Sequence, residues 1–317
     1  MGHTGPVVSP SSEHVTILLS IYDGEPWLDA LLDSVRAQSH TDWTLLVRDD
    51  GSTDAGPDLV ARHAAADARV VLLDDDGGGN LGPARSFMAL LARVEDGVFA
   101  FCDQDDVWLP HKLAWSLAAL AAAPPMSVVV TDAEVTTVDG RTIEASALRA
   151  RGVDGPMGIE RLLVNNAAIG ATMLGGADLA AAAVDLAAGE EPLMHDWWCA
   201  LVAAYAGEVA VVAAPTVRWR RHPGTVTGAT PSTLRGRMGR RLRYLEWSVG
   251  AARRLRDAPL EAADERRARV VVSFAGLNAV SPGLTGILRV RMLGVRAWSW
   301  RAQLGVLVAV AARKWAK

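Results

Sequence analysis

The chain has 317 residues, half of them apolar and 21 % charged, the balance of a globular protein with room for one large α/β domain or two smaller ones. Its two cysteines, Cys102 and Cys199, are far apart and lack a Cys-x-x-Cys spacing, which argues against a disulfide framework or a zinc site and fits a reducing cytoplasm. The formal net charge of −4 conceals an acidic body, residues 1–234 with 14 Lys+Arg against 31 Asp+Glu, and a basic tail, residues 235–317 with 18 against 5.

The opening MGHTGPVVSPSS has no basic segment leading into an apolar one, so a secretory signal is not expected. Val15 to Ser20 is a short, β-branched apolar run and reads as a strand. The turn Asp23-Gly24-Glu25-Pro26 follows, then Trp27, Leu28, Leu31, Leu32 and Val35 at helical spacing. Trp43 to Val47 reads as the second strand, ending at Arg48-Asp49-Asp50-Gly51-Ser52, with a helix to about Ala66. Val70 to Leu73 is the third strand, and the Asp/Gly stretch Asp74 to Gly79 a turn. A helix from Pro83 to Val94 leads into the fourth strand, Val98 to Cys102. Pro110 suits the first turn of a helix to about Ala123, and Ser127 to Thr131 is the fifth strand.

Strands alternating with helices of this length predict a doubly wound, mostly parallel sheet flanked by helices. Ligands of such sheets bind beyond the carboxyl ends of the strands, where strand order reverses. Three polar clusters fall there: Ser20-Ile21-Tyr22-Asp23, Asp49-Asp50-Gly51-Ser52 and Asp103-Gln104-Asp105-Asp106. The last holds three carboxylates in four positions, a crowding that raises each neighbour's pKa unless a cation relieves it. Mg²⁺ and Mn²⁺ take carboxylate oxygens together with substrate phosphates, whereas a bare Asp-x-Asp also serves as a solvated turn. Neither Gly-x-Gly-x-x-Gly nor a Walker Gly-Lys-Ser/Thr is present, which disfavours dinucleotide and P-loop readings.

The run VTILLSIYDGEPWLDALLDSVRAQSHTDWTLLVRDDGSTD, with NLGPARSF at 80–87 and FCDQDDVWLPHKL at 101–113, resembles family 2 glycosyltransferases of GT-A fold. DQDDVW, with HDWW at 195–198 and RWRRHPGTVTG at 218–228, is most similar to the bacterial rhamnosyltransferase-type members. The resemblance covers roughly residues 14 to 228. It implies three regions: a flexible 1–13, a GT-A domain over 14–228, and a basic helical region over 229–317.

The resemblance also implies roles. Ser20, Tyr22 and Asp23 would line the nucleotide pocket, although the family often has Asn where Asp23 stands. Asp50 would accept a hydrogen bond from the base N3–H, Arg85 would reach the diphosphate, and Asp103 and Gln104 would lie beside the nucleotide. Asp105 would ligate Mn²⁺ or Mg²⁺, and His222 is a second candidate ligand. Asp106 would face the transferred sugar or the metal's waters. Asp196 matches the general base; read by itself, it is equally a favourable residue at a helix start. Trp197 and Trp198 are candidates for stacking on an acceptor sugar, or for core packing, and Thr172 for the acceptor side.

The activity implied is an inverting, metal-assisted transfer from a dTDP- or UDP-sugar, with dTDP-L-rhamnose favoured, to a hydroxyl of a glycan or lipid-linked acceptor. The alternatives are a sugar nucleotidyltransferase and a non-catalytic binding protein on the same fold. No nucleic-acid module accompanies the basic tail. Residues 235–317 mix apolar residues and tryptophans (Trp298, Trp300, Trp315) with arginines. That pattern suits peripheral contact at the inner face of the cell membrane, or a helical cap packed on the body or on a second copy of the chain.

Overall fold

Val15–Ile21 forms β1, whose Val15, Ile17, Leu18, Leu19 and Ile21 are all inaccessible to solvent. A strand buried on both faces is what a sheet covered by helices on each side requires. In the computed structural model, which describes residues 12–74, 79–153, 155–187, 194–222 and 234–276, the elements follow in order. They are α1 (Glu25–Arg36), β2 (Trp43–Asp49), α2 (Gly56–Ala66), β3 (Val70–Leu72), α3 (Pro83–Leu91), β4 (Val98–Asp103) and β5 (Val107–Trp108). Next come α4 (Lys112–Ala121), β6 (Val128–Thr137), β7 (Thr142–Glu144), α5 (Ala147–Ala150), α6 (Ile159–Leu162), a 3-10 turn (Gly170–Thr172) and β8 (Met173–Gly176). The described chain finishes with α7 (Ala177–Ala187), α8 (His195–Ala206), β9 (Val209–Arg221), α9 (Leu234–Asp257) and α10 (Glu265–Ala275). Pro26, Pro57 and Pro83 occupy the first turns of α1, α2 and α3, where a missing N–H is harmless and the fixed φ is already helical.

The strands lie in the order β3-β2-β1-β4-β8-β6-β9-β5, with β7 paired to β6 outside that row. β3, β2, β1 and β4 are parallel, and β6 is parallel to β9. β8 runs antiparallel between β4 and β6, so the expected fifth strand is not a direct neighbour of the fourth. β6 also runs six residues past its expected end at Thr131, with register shifts against β9 around Asp132. Because the chain winds from β1 to β2 and β3 on one side and returns to β4 on the other, order reverses between β1 and β4. Their carboxyl ends, Ser20 beside Asp103 in register, open the crevice.

Helix α8 is buried on every side, from His195 to Tyr205. It shares a core with α3, α6 and α7 and with residues of α9 and α10, including Val249, Leu255, Val270, Val271 and Phe274. Arg267 donates to the carbonyls of Ala204 and Gly207, and Ala263 N–H to that of Tyr205. Of the two readings of the basic tail, its described part is therefore a helical cap packed on the body. No helix among the described residues is long and apolar enough to cross a membrane. Trp298, Trp300 and Trp315, residues 223–228 of the loop after His222, and most of residues 1–13 lie outside the described residues.

Candidate active site

A polar chain ties the ends of β1 and β2 to the start of α3. Ser20 Oγ and Ser86 Oγ share a hydrogen bond of 2.7 Å, and Arg48 Nη1 donates to Ser86 Oγ at 3.1 Å and to Asp50 Oδ1 at 2.5 Å. Asp50 is 2 % exposed; its Oδ1 also accepts from Leu81 N–H at 2.8 Å and its Oδ2 from Gly82 N–H at 2.9 Å. Its carboxylate thus pins the loop before α3, in addition to any contact with a base. Arg85 stands exposed on the first turn of that helix.

Asp23 sits at φ +46, a left-handed conformation that Asn and Asp adopt more readily than other residues with a β-carbon. This backbone demand explains why Asp can replace the family's Asn. Its Oδ1 accepts from Thr53 N–H at 2.7 Å and from the Thr53 hydroxyl at 3.1 Å, and these bonds hold its pKa below the usual carboxylate value. Gln104 clamps the backbone of Tyr22 from both sides, accepting from its N–H at 2.8 Å and donating to its carbonyl at 2.9 Å. The ring of Tyr22 stays 48 % exposed at the crevice rim, a flat face open to stacking.

The acidic cluster divides into three environments. Asp103, at the end of β4, has its pKa pushed up to about 8 by burial, then by the fields of Asp105 and Asp196. Asp105 Oδ2 meets His222 Nε2 at 2.8 Å, and His222 stacks on Trp27 with ring centroids 4.8 Å apart. Asp106 is fully buried. Its Oδ1 accepts from Arg220 N–H at 3.2 Å, its Oδ2 has no partner among the described residues, and burial followed by its acidic neighbours raises its pKa well above the usual value. Lys112, equally buried, lies with Nζ 4.1 Å from the Trp108 ring; burial lowers it to about 8, against the raising fields of Cys102 and Asp106. The expectation that Asp106 faces the sugar or the metal's waters is therefore corrected: it supports the Asp105 loop from inside.

Asp196 enters from α8. The helix begins at His195 with Met194 as its cap residue, so Asp196 is inside the first turn and does not cap it. Asn166 Nδ2 donates to its Oδ1 at 3.1 Å, as does Trp197 N–H at 2.6 Å, while Oδ2 accepts no hydrogen bond from the described residues. Gly170 approaches this carboxylate: a Cβ there would stand 3.4 Å from Asp196 Cβ, 3.7 Å from its Oδ2 and 3.0 Å from His195 Nε2. One oxygen is oriented by two donors and the other accepts none from the described residues.

Residues 16–163 match the family described as glycosyl transferase family 2. Over those residues, a little under half of the chain, the sequence is similar to glycosyl transferase family 2. A UDP-Glc:α-D-GlcNAc-diphosphoundecaprenol β-1,3-glucosyltransferase of Escherichia coli is 30 % identical over 106 residues, 33 % of this chain and 40 % of that protein. The alignments with this and other curated relatives cover well under half of the relatives' length. Among solved structures, Staphylococcus aureus TarS 1-349 in complex with UDP-GlcNAc has a TM-score of 0.59 at 13 % identity, covering 96 % of this chain and 92 % of that one. The mannosyltransferase PcManGT of Pyrobaculum calidifontis, in complex with GDP-Man and Mn²⁺, has a TM-score of 0.51 at 17 % identity, covering 99 % and 91 %. These structures share the GT-A architecture, an α/β fold with a mostly parallel sheet between helices.

On the acceptor side, Trp197 and Trp198 take the core-packing reading of the two open to them, and the expectation for Thr172 is corrected. Trp197 and Trp198 are 2 % and 1 % exposed, and their indole N–H groups donate to the carbonyls of Leu162 and Ala183. Both are core residues and neither offers a face to a sugar. Thr172 is fully buried, its hydroxyl donating to the Ile169 carbonyl at 2.8 Å. Conversely, Arg48 and Ser86 belong to the site although neither stands out from the sequence except as a charge near the end of an apolar strand and a serine early in a helix. Arg151 likewise carries no signal in the sequence, yet Asp196 acts on its charge.

The residues present suit a divalent cation. Among the described residues no group of three His, Cys, Asp or Glu side chains converges as a complete cage. Asp105 and His222 supply two adjacent donors, an oxygen and a nitrogen, on a strand end already overcrowded with negative charge. That is the arrangement of a cation that takes few protein ligands and draws the rest of its shell from phosphate oxygens and water.

Proposed function

We propose that this chain is an inverting glycosyltransferase that moves a sugar from a nucleoside diphosphate donor to a hydroxyl of a glycan or lipid-linked acceptor. The observation that carries the reading is the meeting of Asp196, one carboxylate oxygen held and the other unbonded, with the Asp103–Asp105–His222 cluster at the switch point of the sheet. A base and a diphosphate site facing one crevice are the two parts that direct displacement at an anomeric carbon needs.

The chain's own residues divide the work. Tyr22 offers its ring to the base, held by Gln104; Asp103 lies beside the nucleotide, and Arg85 reaches toward the diphosphate. Asp196 takes the acceptor's proton through its unbonded oxygen, so the hydroxyl attacks the face opposite the leaving diphosphate and the centre inverts. Asp105 and His222 would hold Mn²⁺ or Mg²⁺, which when bound supplies charge neutralisation of the departing diphosphate.

The donor proposed is dTDP-L-rhamnose, on the pattern of DQDDVW, HDWW and RWRR. The neighbours' UDP-GlcNAc and GDP-Man support a nucleotide-sugar donor in general, and the Escherichia coli relative's diphosphoundecaprenol substrate supports a lipid-linked acceptor. A screen of dTDP-, UDP- and GDP-sugars with Mn²⁺ or Mg²⁺, followed by thermal shift and by slow donor hydrolysis, tests this. A dTDP-rhamnose response supports the donor assignment. A response confined to GDP-sugars overturns it, and no response to any of them overturns the enzyme reading.

A further inference from the structure

Strand β9 alternates between two differently equipped faces. Arg220 and His222 point to Trp27, the guanidinium carbon 5.0 Å and the imidazole 4.8 Å from its ring, on the side of Asp105. Trp219 and Arg221 occupy the other face, as the two-residue period of a strand requires. There the Arg221 guanidinium carbon lies 5.4 Å from the Trp219 ring centroid and that of Arg151 lies 5.0 Å from the same ring. Two cations from distant parts of the chain thus converge on one indole.

Neither of these arginines forms an ion pair with a described carboxylate, whereas Arg218, also on β9, lies 3.6 Å from Glu134. Arg151 is further tied to the base: its Nη1 donates to the carbonyls of Ala168 and Ala167 at 3.3 and 3.5 Å, and the neighbouring Asn166 donates to Asp196. Burial, and secondarily the Arg221 charge, lower the pKa of Arg151, while the Asp196 charge raises it, so the three groups share one field. Asp196 offsets part of the Arg151 charge, whereas Arg221 has no carboxylate partner among the described residues; the two like charges repel, and a bound anion removes that repulsion.

We propose that Arg151 and Arg221, mounted on Trp219, form a site for a phosphate group of the acceptor, seated beside Asp196 and on the face of β9 away from the donor's diphosphate. This rests on the glycosyltransferase reading above for the word acceptor, but the anion site itself does not. Two planar guanidinium forks match the several oxygens and double charge of a phosphate ester, whereas a lone carboxylate would occupy a single fork. The site assigns the acceptor's class: a saccharide or polyol whose attacking hydroxyl lies within a few bonds of a phosphate. A lipid-borne diphosphate and a phosphodiester polymer share that chemistry.

The test is calorimetric titration of the full chain in EDTA, which keeps a cation from recruiting phosphate to Asp105 and His222. The probes are inorganic pyrophosphate, farnesyl diphosphate, a glycerol phosphate oligomer and glucuronate. Wild type should bind pyrophosphate, and Arg221→Gln and Arg151→Gln should each weaken binding by about tenfold or more, with partial recovery in the Lys variants. Arg93→Gln, an equal charge loss near the opposite end of β4, should change nothing. Arg221 is exposed on a strand surface, so its variant remains informative if Arg151→Gln fails to fold. Tighter binding of farnesyl diphosphate assigns a lipid carrier and tighter binding of the oligomer a polymer; either supports the site. Absence of pyrophosphate binding by wild type, unchanged affinity in Arg221→Gln, or glucuronate binding as tightly as pyrophosphate overturns it. Wild type that binds pyrophosphate in EDTA but binds no nucleotide sugar in a separate titration with Mn²⁺ retires the enzyme reading and leaves the anion site standing.

Discussion

Asp105 and His222 are 117 residues apart in the chain, yet Oδ2 of the one lies 2.8 Å from Nε2 of the other. The contact joins the acidic turn after β4 to the end of β9, two strands that are not neighbours in the sheet. Trp27 stacks on the imidazole and fixes its plane, so the nitrogen aimed at Asp105 is set by packing as well as by the ion pair.

If this pair holds the divalent cation, His222→Ala should raise the Mn²⁺ concentration needed for half-maximal donor binding by about tenfold or more, and Asp105→Asn should raise it further. Titrating Mn²⁺ at fixed donor concentration measures both. Unchanged metal dependence in both variants would remove these residues from the cation site.

Asp196→Asn keeps the shape of the side chain, and its amide oxygen can still accept from Asn166 and Trp197 N–H. The variant should bind donor within about twofold of wild type and lose transfer by roughly 10²–10⁴-fold, the range ascribed to a general base. Gly170→Ala should lower transfer as well, because its methyl would press on His195 Nε2 and stand against Asp196. Near-normal turnover in Asp196→Asn would exclude it as the base.

The first four strands are legible in the sequence because each is an apolar run broken by polar residues at its carboxyl end. β8 is not, since Met173-Leu174-Gly175-Gly176 is short and reads as a turn. Gly175 is there because a Cβ would come within 2.9 Å of the Phe99 ring, so a residue that suggests a loop serves close strand packing. Pro215 similarly conceals β9, and it lies where the register against β6 shifts. In the site, the acids of 103–106 stand out in the sequence by type and spacing, whereas Asp196 and His222 stand out only through the family resemblance. The aromatic pair of α8 leaves two readings open in the sequence, and core packing is the one taken: a helix apolar on all sides, as HDWWCALVAAYA is, has no open face to offer a sugar. Arg151 is invisible because its meaning depends on folding beside Trp219 and Asp196.

The burial of Trp198 makes a stability prediction that an acceptor platform would not. Trp198→Ala should destabilise the protein by about 3–5 kcal/mol, through the cavity and the unpaired Ala183 carbonyl. Denaturant unfolding gives the number. A near-neutral change with a large loss of acceptor affinity would return Trp198 to the acceptor site.

His195 gives a pH signature. It is 4 % exposed, stacks on Phe87 at 4.1 Å and meets Phe101 at 4.6 Å, and neither ring nitrogen has a partner among the described residues. Burial lowers its pKa to about 4, against the raising field of Asp196. Above pH 6.5 the imidazole is neutral whether folded or unfolded and contributes nothing to pH dependence. As pH falls from 6.5 toward 4, the unfolded chain takes up the proton and the folded one does not, so stability falls across that window, by on the order of 3 kcal/mol when complete. Asp103, raised to about 8, acts with the opposite sign throughout the same range, since its folded form holds a proton that the unfolded form has lost. The wild-type slope alone therefore does not isolate the histidine, but its difference from His195→Leu does. Unfolding free energies of both proteins at pH 7, 6 and 5 should show the variant losing less stability than wild type as pH drops. Parallel curves would mean that His195 is protonated in the folded core, with a proton acceptor beside it.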